Sequence, residues 1–167
     1  PGATGLELLL PLTLKWADSA GLSLLDGLAR ITSDAAKIVG IDLLEVDPLP
    51  PAELIQMDFT DPAAPGLLIE RLGGKPDLVL SDMAPNTVGH RETDHLRIVA
   101  LIEMAADFAI AVLKPGGSFV AKAFQGGETG DVITRLKQHF AKVQNVKPKA
   151  SRADSSEVFL VATGFKG

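Results

Sequence analysis

Cysteine is absent from the 167 residues, which excludes disulfides and thiolate metal sites and suits a reducing compartment. Long apolar runs are absent as well. The best candidate, residues 6–14, is short, is broken by Glu7 and Pro11 and has no basic flank, so it is neither a membrane span nor a signal peptide. Repeats and low-complexity tracts are missing. Positive charge is in short supply, with 16 Lys and Arg against 21 Asp and Glu, for a net charge of -5. Taken whole, that balance argues against a polyanionic partner. The charge is uneven, however: residues 114–167 hold nine basic and four acidic residues, enough for a basic face on the C-terminal third. No aromatic residues interleave the basic run, so a solvated lysine-rich surface is the competing reading.

A further absence concerns glycine. None occurs between Gly5 and Gly21, where residues 5–10 read as a first strand. A nucleotide-type cofactor calls for a Gly-rich turn after such a strand, because only glycine lets the backbone approach the ligand closely.

What is present is an alternation of two periods. Apolar runs of strand length fall at residues 38–42, 53–57, 77–82, 117–123, 142–146 and 157–163, and helical spacing recurs at 64–72, 95–113 and 131–141. In the longest helix Ile98, Leu101, Ala105, Phe108 and Val112 form the apolar stripe, with Thr93 or Asp94 as cap. Alternation with near-continuous apolar strands predicts one domain, a doubly wound Rossmann-like α/β sheet that is mostly parallel and covered on both faces. The last two strands are joined by only ten residues, 147–156, too few for a helical crossover, so an antiparallel C-terminal hairpin is expected.

Ligands of such sheets lie beyond the carboxyl ends of the strands. Asp42, Asp58 and Asp82 each follow a strand run. An acid there accepts hydrogen bonds from ribose hydroxyls or an adenine amino group, although each taken singly is more often a cap or loop residue. Asp82, Lys122 and Glu157 stand in or at the edge of strand-like apolar stretches, where an ionisable group is costly unless paired or used. Together they suggest a proton-handling site, with a buried Lys122–Glu157 salt bridge as the purely structural alternative.

Three segments carry a resemblance: Ser81-Asp82-Met83-Ala84-Pro85-Asn86, Phe119-Val120-Ala121-Lys122-Ala123-Phe124-Gln125-Gly126, and the stretch from Lys147-Pro148-Lys149 through Ser151-Arg152 to Ser156-Glu157. With them the chain resembles the FtsJ-like ribose 2'-O-methyltransferases, especially the bacterial enzymes that methylate a uridine ribose in large-subunit ribosomal RNA. The resemblance implies that Asp42, Asp58 and Asp82 contact S-adenosylmethionine. It also implies that Asp82, Lys122 and Glu157 are three members of a Lys-Asp-Lys-Glu catalytic tetrad, with Lys122 as the base. The first tetrad lysine belongs upstream of a Pro-Gly that matches Pro1-Gly2, so the resemblance implies that the segment before the first strand is missing, and the chain as it stands is expected to be slow or inactive even if it binds RNA. The family's first motif, Asp-Leu-Gly-Ala-Ala-Pro-Gly-Gly-Trp, is matched only near Glu7, Pro11 and Trp16, which makes Trp16 a cofactor-binding candidate; its glycines are gone.

The expected partner is large-subunit ribosomal RNA or the assembled subunit, held at its phosphates by Lys142, Lys147, Lys149 and Arg152, with His90, Arg91 and His95 nearer the substrate or simply exposed. His139 reads as a surface residue. A cytoplasmic monomer without metal or membrane partner is expected. The competing function is a catalytically silent RNA-binding homologue that has lost the cofactor turn. A nicotinamide-dependent oxidoreductase lacks its G-x-G-x-x-G and leaves Lys122 and Glu157 unexplained.

Overall fold

The computed structural model describes residues 37–48, 50–84, 91–124, 130–147 and 156–167, with the backbone alone for 91–95. The elements run β1 (Val39–Asp42), β2 (Glu53–Gln56), α1 (Ala64–Leu72), β3 (Leu78–Ser81), α2 (Arg91–Val112), β4 (Ser118–Phe124), α3 (Gly130–His139), β5 (Phe140–Val146) and β6 (Glu157–Phe165). β1 and β2 form a parallel pair, and the other four strands form a sheet in the order β3-β4-β6-β5. β3 is parallel to β4, whereas β6 is antiparallel to both β4 and β5. Within that sheet β3, β4 and β5 therefore run one way and β6 alone runs against them. This is a Rossmann-like α/β arrangement with the C-terminal antiparallel hairpin that the short last connection predicts. The first strand expected at residues 5–10 lies outside the described residues.

Local chemistry sets the element ends. α1 has a proline in its first turn, where a missing N–H is harmless, and stops at Gly73, whose φ of 66° lets its N–H reach the Ile69 carbonyl at 3.1 Å. Entry to β4 is a turn with Pro115 and Gly116 at its centre: Gly116 has φ 83°, and the Gly117 N–H meets the Lys114 carbonyl at 2.9 Å. α3 ends against Lys166, whose Nζ donates to the carbonyls of Lys137 and Gln138 at 3.2 and 3.0 Å, placing a cation at the negative end of the helix.

Two expected details are corrected. α2 begins at Arg91, so Thr93 and Asp94 lie inside its first turn and neither is the cap. Its buried stripe is Ile102, Ala105, Ala106, Ala109 and Val112, while Ile98 is only partly buried at the edge of the core and Leu101 and Phe108 are half-buried. Alanines on this face let the helix lie close to the sheet.

The main core joins Ile102, Ala105, Ala106 and Ala109 of α2 to Val132 and Leu136 of α3 and to Phe119, Ala121, Ala123, Val158, Leu160 and Ala162 of the sheet. Each fully buried Leu or Phe there contributes about 1.5–3 kcal/mol relative to exposure. α2 and α3 thus cover the same face. The other face carries Val120, Phe159 and Val161 with Leu78, Leu80 and Val146, a cluster that includes no helix residue among the described ones. The β1–β2 pair is linked to the larger assembly by Phe59, after β2, which meets Phe108 of α2 edge to face with ring centroids 5.7 Å apart.

Candidate functional site

The three strand-end acids all lie at carboxyl ends, as their sequence context predicts. Asp42 is the last residue of β1, opposite Gln56, and the Met57 N–H donates to its carbonyl at 2.8 Å. Its Oδ1 accepts the Leu44 N–H at 2.8 Å, which bends the chain out of the strand. Asp58 follows β2 by two residues. Its Oδ1 accepts both the Thr60 hydroxyl at 2.7 Å and the Thr60 N–H at 2.8 Å. These two bonds, the hydroxyl's foremost, hold the Asp58 carboxyl below its ordinary range, against a small opposing effect of desolvation. Asp58 is therefore a fixed anion with a restrained side chain. Thr60 is a hydrogen-bond partner of Asp58 that sequence reading missed, although Asp-x-Thr after a strand is a legible turn signal.

Asp82 follows β3 directly. Ser81 is in register with Ala121, so Asp82 comes level with Lys122 on the neighbouring strand. Lys122 is also opposite Phe159, and Phe159 is opposite Val146, which makes one transverse row across the sheet. Glu157 opens β6 opposite Phe124, two residues along from Lys122 and on the same face. Diagonal neighbours of this kind have Cα atoms roughly 7–8 Å apart, within reach of a lysine side chain. The face is the one opposite α2 and α3, shared with Leu78, Leu80 and Val120.

The fold thus gathers Asp82, Lys122 and Glu157 at one end of one sheet face. They are less enclosed than their apolar sequence context suggests: Asp82 and Lys122 are half-buried and Glu157 is exposed. That exposure removes the fully buried salt bridge as an account of Lys122 and Glu157. The ion pairs among the described residues are Arg71–Glu53, Lys114–Asp77 and Arg135–Asp107, and neither Asp82 nor Lys122 takes part in them.

Of the basic candidates, Lys142 is exposed on the edge strand β5 and Lys147 is exposed just after it. His139 ends α3 half-buried, more enclosed than a surface residue. Trp16, His90, Lys149 and Arg152 lie outside the described residues, as do the side chains of Arg91 and His95. Among the described residues no group of three potential metal ligands forms, and no helix is long and apolar enough to cross a membrane.

Strand-end acids, a lysine on a central strand and an antiparallel last hairpin define a Rossmann-like protein of the methyltransferase type. A Plasmodium falciparum crystal structure described as a ribosomal RNA methyltransferase overlays with a TM-score of 0.72 at 30% identity, covering 84% of this chain and 79% of that one. The family model for FtsJ-like methyltransferases matches residues 23–165, and the chain belongs to that family. Among curated relatives, the ribosomal RNA large subunit methyltransferase E of Caulobacter sp. strain K31 is 76% identical over 130 residues, or 78% of this chain and 58% of its own length. That of Caulobacter vibrioides is 75% identical over the same length and shares. The chain therefore spans somewhat more than half the length of the curated relatives it matches.

Proposed function

We propose that this chain forms one S-adenosylmethionine-dependent domain that methylates a ribose 2'-hydroxyl, a uridine's by resemblance, in large-subunit ribosomal RNA. The observation that carries this reading is the placement of Asp82, Lys122 and Glu157 at one end of one sheet face. High identity to proteins named for large-subunit ribosomal RNA methylation supports the substrate class.

The donor set fits the cofactor. Asp42 and Asp58 are acceptors at adjacent strand ends, as nucleoside hydroxyl and amino groups require. Each commits Oδ1 to its own turn, which fixes the direction of the carboxylate. Asp82 adds a negative charge near a cationic sulfonium. When bound, S-adenosylmethionine supplies an activated methyl group with a good leaving group.

The protein's task is then to position and deprotonate the ribose hydroxyl. Lys122, as the neutral amine, would receive or guide the proton that the ribose hydroxyl gives up on methylation, the methyl group being what the bound cofactor would supply. Asp82, level with Lys122, orients its amino group; Glu157 holds the lysine or a ribose hydroxyl. Alignment of the two reactants supplies much of the rate, and proton removal typically adds about 100- to 10,000-fold. Lys142 and Lys147 contact RNA phosphates from the β5 edge.

Lys122→Ala in the full-length protein should lower the methyl-transfer rate by about 100- to 10,000-fold while S-adenosylmethionine affinity changes little. A single-turnover assay on large ribosomal subunits checks this. A variant as fast as the parent would remove Lys122 from the chemistry.

A further inference from the structure

Asp58 sits in a turn that is rigid within itself. Its Oδ1 holds the Thr60 N–H and hydroxyl, its carbonyl accepts the Asp61 N–H at 3.0 Å, and Asp61 in turn accepts the N–H groups of Ala63 at 2.8 Å and Ala64 at 2.9 Å. All of these bonds are local. They fix the turn's shape but not its position relative to Asp82, which lies on the other sheet. Phe59 is the residue of this turn that reaches outward. Its ring meets Phe108 of α2 at 5.7 Å with the planes at 88°, an aromatic geometry with an energetic preference of its own. α2 in turn packs against β3 and β4, the strands that present Asp82 and Lys122.

We infer that the Phe59–Phe108 contact is a positioning device that registers the Asp58 turn against the Asp82 end of the larger sheet, so that both carboxylates face one cofactor. Phe59 and Phe108 are positioning residues and touch no ligand. The inference rests on the reading of Asp58 as a cofactor-binding residue and deepens it: affinity depends on an aromatic pair remote from the reacting atoms.

The test is a double-mutant cycle on cofactor affinity, with S-adenosylhomocysteine titrated by calorimetry into this chain well below its unfolding midpoint. Phe59→Leu and Phe108→Leu keep apolar bulk and should each weaken binding by about threefold to tenfold. The double variant should lose no more than the worse single one, because both remove the same contact. Phe59→Tyr, which keeps the ring, should restore the parent affinity. Mere loss of stability predicts none of these patterns in the folded protein. If the parent binds and Asp58→Ala weakens it, but Phe59→Leu has no effect or the two losses simply multiply, the positioning role is overturned while the cofactor reading stands. If the parent does not bind, or Asp58→Ala binds like the parent, the cofactor assignment of Asp58 fails and takes this inference with it.

Discussion

At the scale of single residues, the site is made of acids whose neighbours decide how they behave. Asp42 and Asp58 each close a short turn with a backbone N–H two residues on, and Asp58 adds the Thr60 hydroxyl. That extra donor has a measurable consequence. The folded-state carboxyl of Asp58 titrates below its ordinary value of 3.8, so its contribution to stability is present above that value and disappears as the pH falls through the lowered one. Thr60→Ala removes the larger of the two causes and keeps the backbone bond. Its Asp58 resonance should titrate closer to 3.8, and the stability difference between parent and variant should vanish in strong acid. Carboxyl carbon NMR across the acid range checks both, and an unmoved titration would dissociate Thr60 from Asp58.

Sequence reading found the acids because each ends an apolar run. It did not find Thr60, whose role depends on a turn, nor the pairing of Phe59 with Phe108, which are 49 positions apart and meet only through the packing of α2. It overstated the enclosure of Lys122 and Glu157, because apolar neighbours along a strand point alternately to the two faces. The buried neighbours Ala121, Ala123 and Val158 belong to the helix-covered face, whereas Lys122 and Glu157 share the other.

At the scale of elements, turn chemistry and core contacts fix the strand ends that carry the acids. α1 was legible in full, since an early proline and a following glycine bracket its apolar spacing. The α3–β5 boundary was not: the helical pattern extends through Phe140 and Ala141, yet the strand begins at Phe140 with no loop between. Phe140 satisfies either period, and its burial beside Phe165, with ring centroids 5.2 Å apart, decides for the strand.

The turn into β4 is the most constrained of these junctions. A Cβ at Gly117 would lie 2.8 Å from the Lys114 carbonyl and 3.0 Å from a methyl of the fully buried Leu113. Gly117→Ala should therefore destabilise the fold by about 1–3 kcal/mol through overpacking. It should also displace β4 and with it Lys122. Urea denaturation checks the first part, and unchanged stability would mean that the turn relaxes freely.

At the scale of the whole molecule, charge is unevenly spread along the chain. The net charge of -5 conceals a C-terminal third with nine basic and four acidic residues, and the order β3-β4-β6-β5 puts Lys142 on the outermost strand. Alternating periods were enough to read the fold class, and a short last connection enough to read the hairpin. The placement of β6 between β4 and β5, which brings Glu157 beside the Lys122 strand, required the pairing itself.

An RNA partner held at phosphates gives a salt-dependent affinity whose slope counts the contacts. Lys142→Ala should weaken binding to large-subunit RNA and reduce the slope of log affinity against log salt by about 1. A slope identical to the parent's would place the RNA elsewhere.

The central claim is that this site methylates a ribose hydroxyl, and the most direct measurement is transfer of labelled methyl from S-adenosylmethionine to unmethylated large ribosomal subunits, followed by digestion to nucleosides. The account predicts label in 2'-O-methyluridine, abolished by Asp82→Ala. Label on a base, or S-adenosylmethionine binding without any transfer by the full-length protein, would contradict it, and the latter outcome would favour a silent RNA-binding homologue.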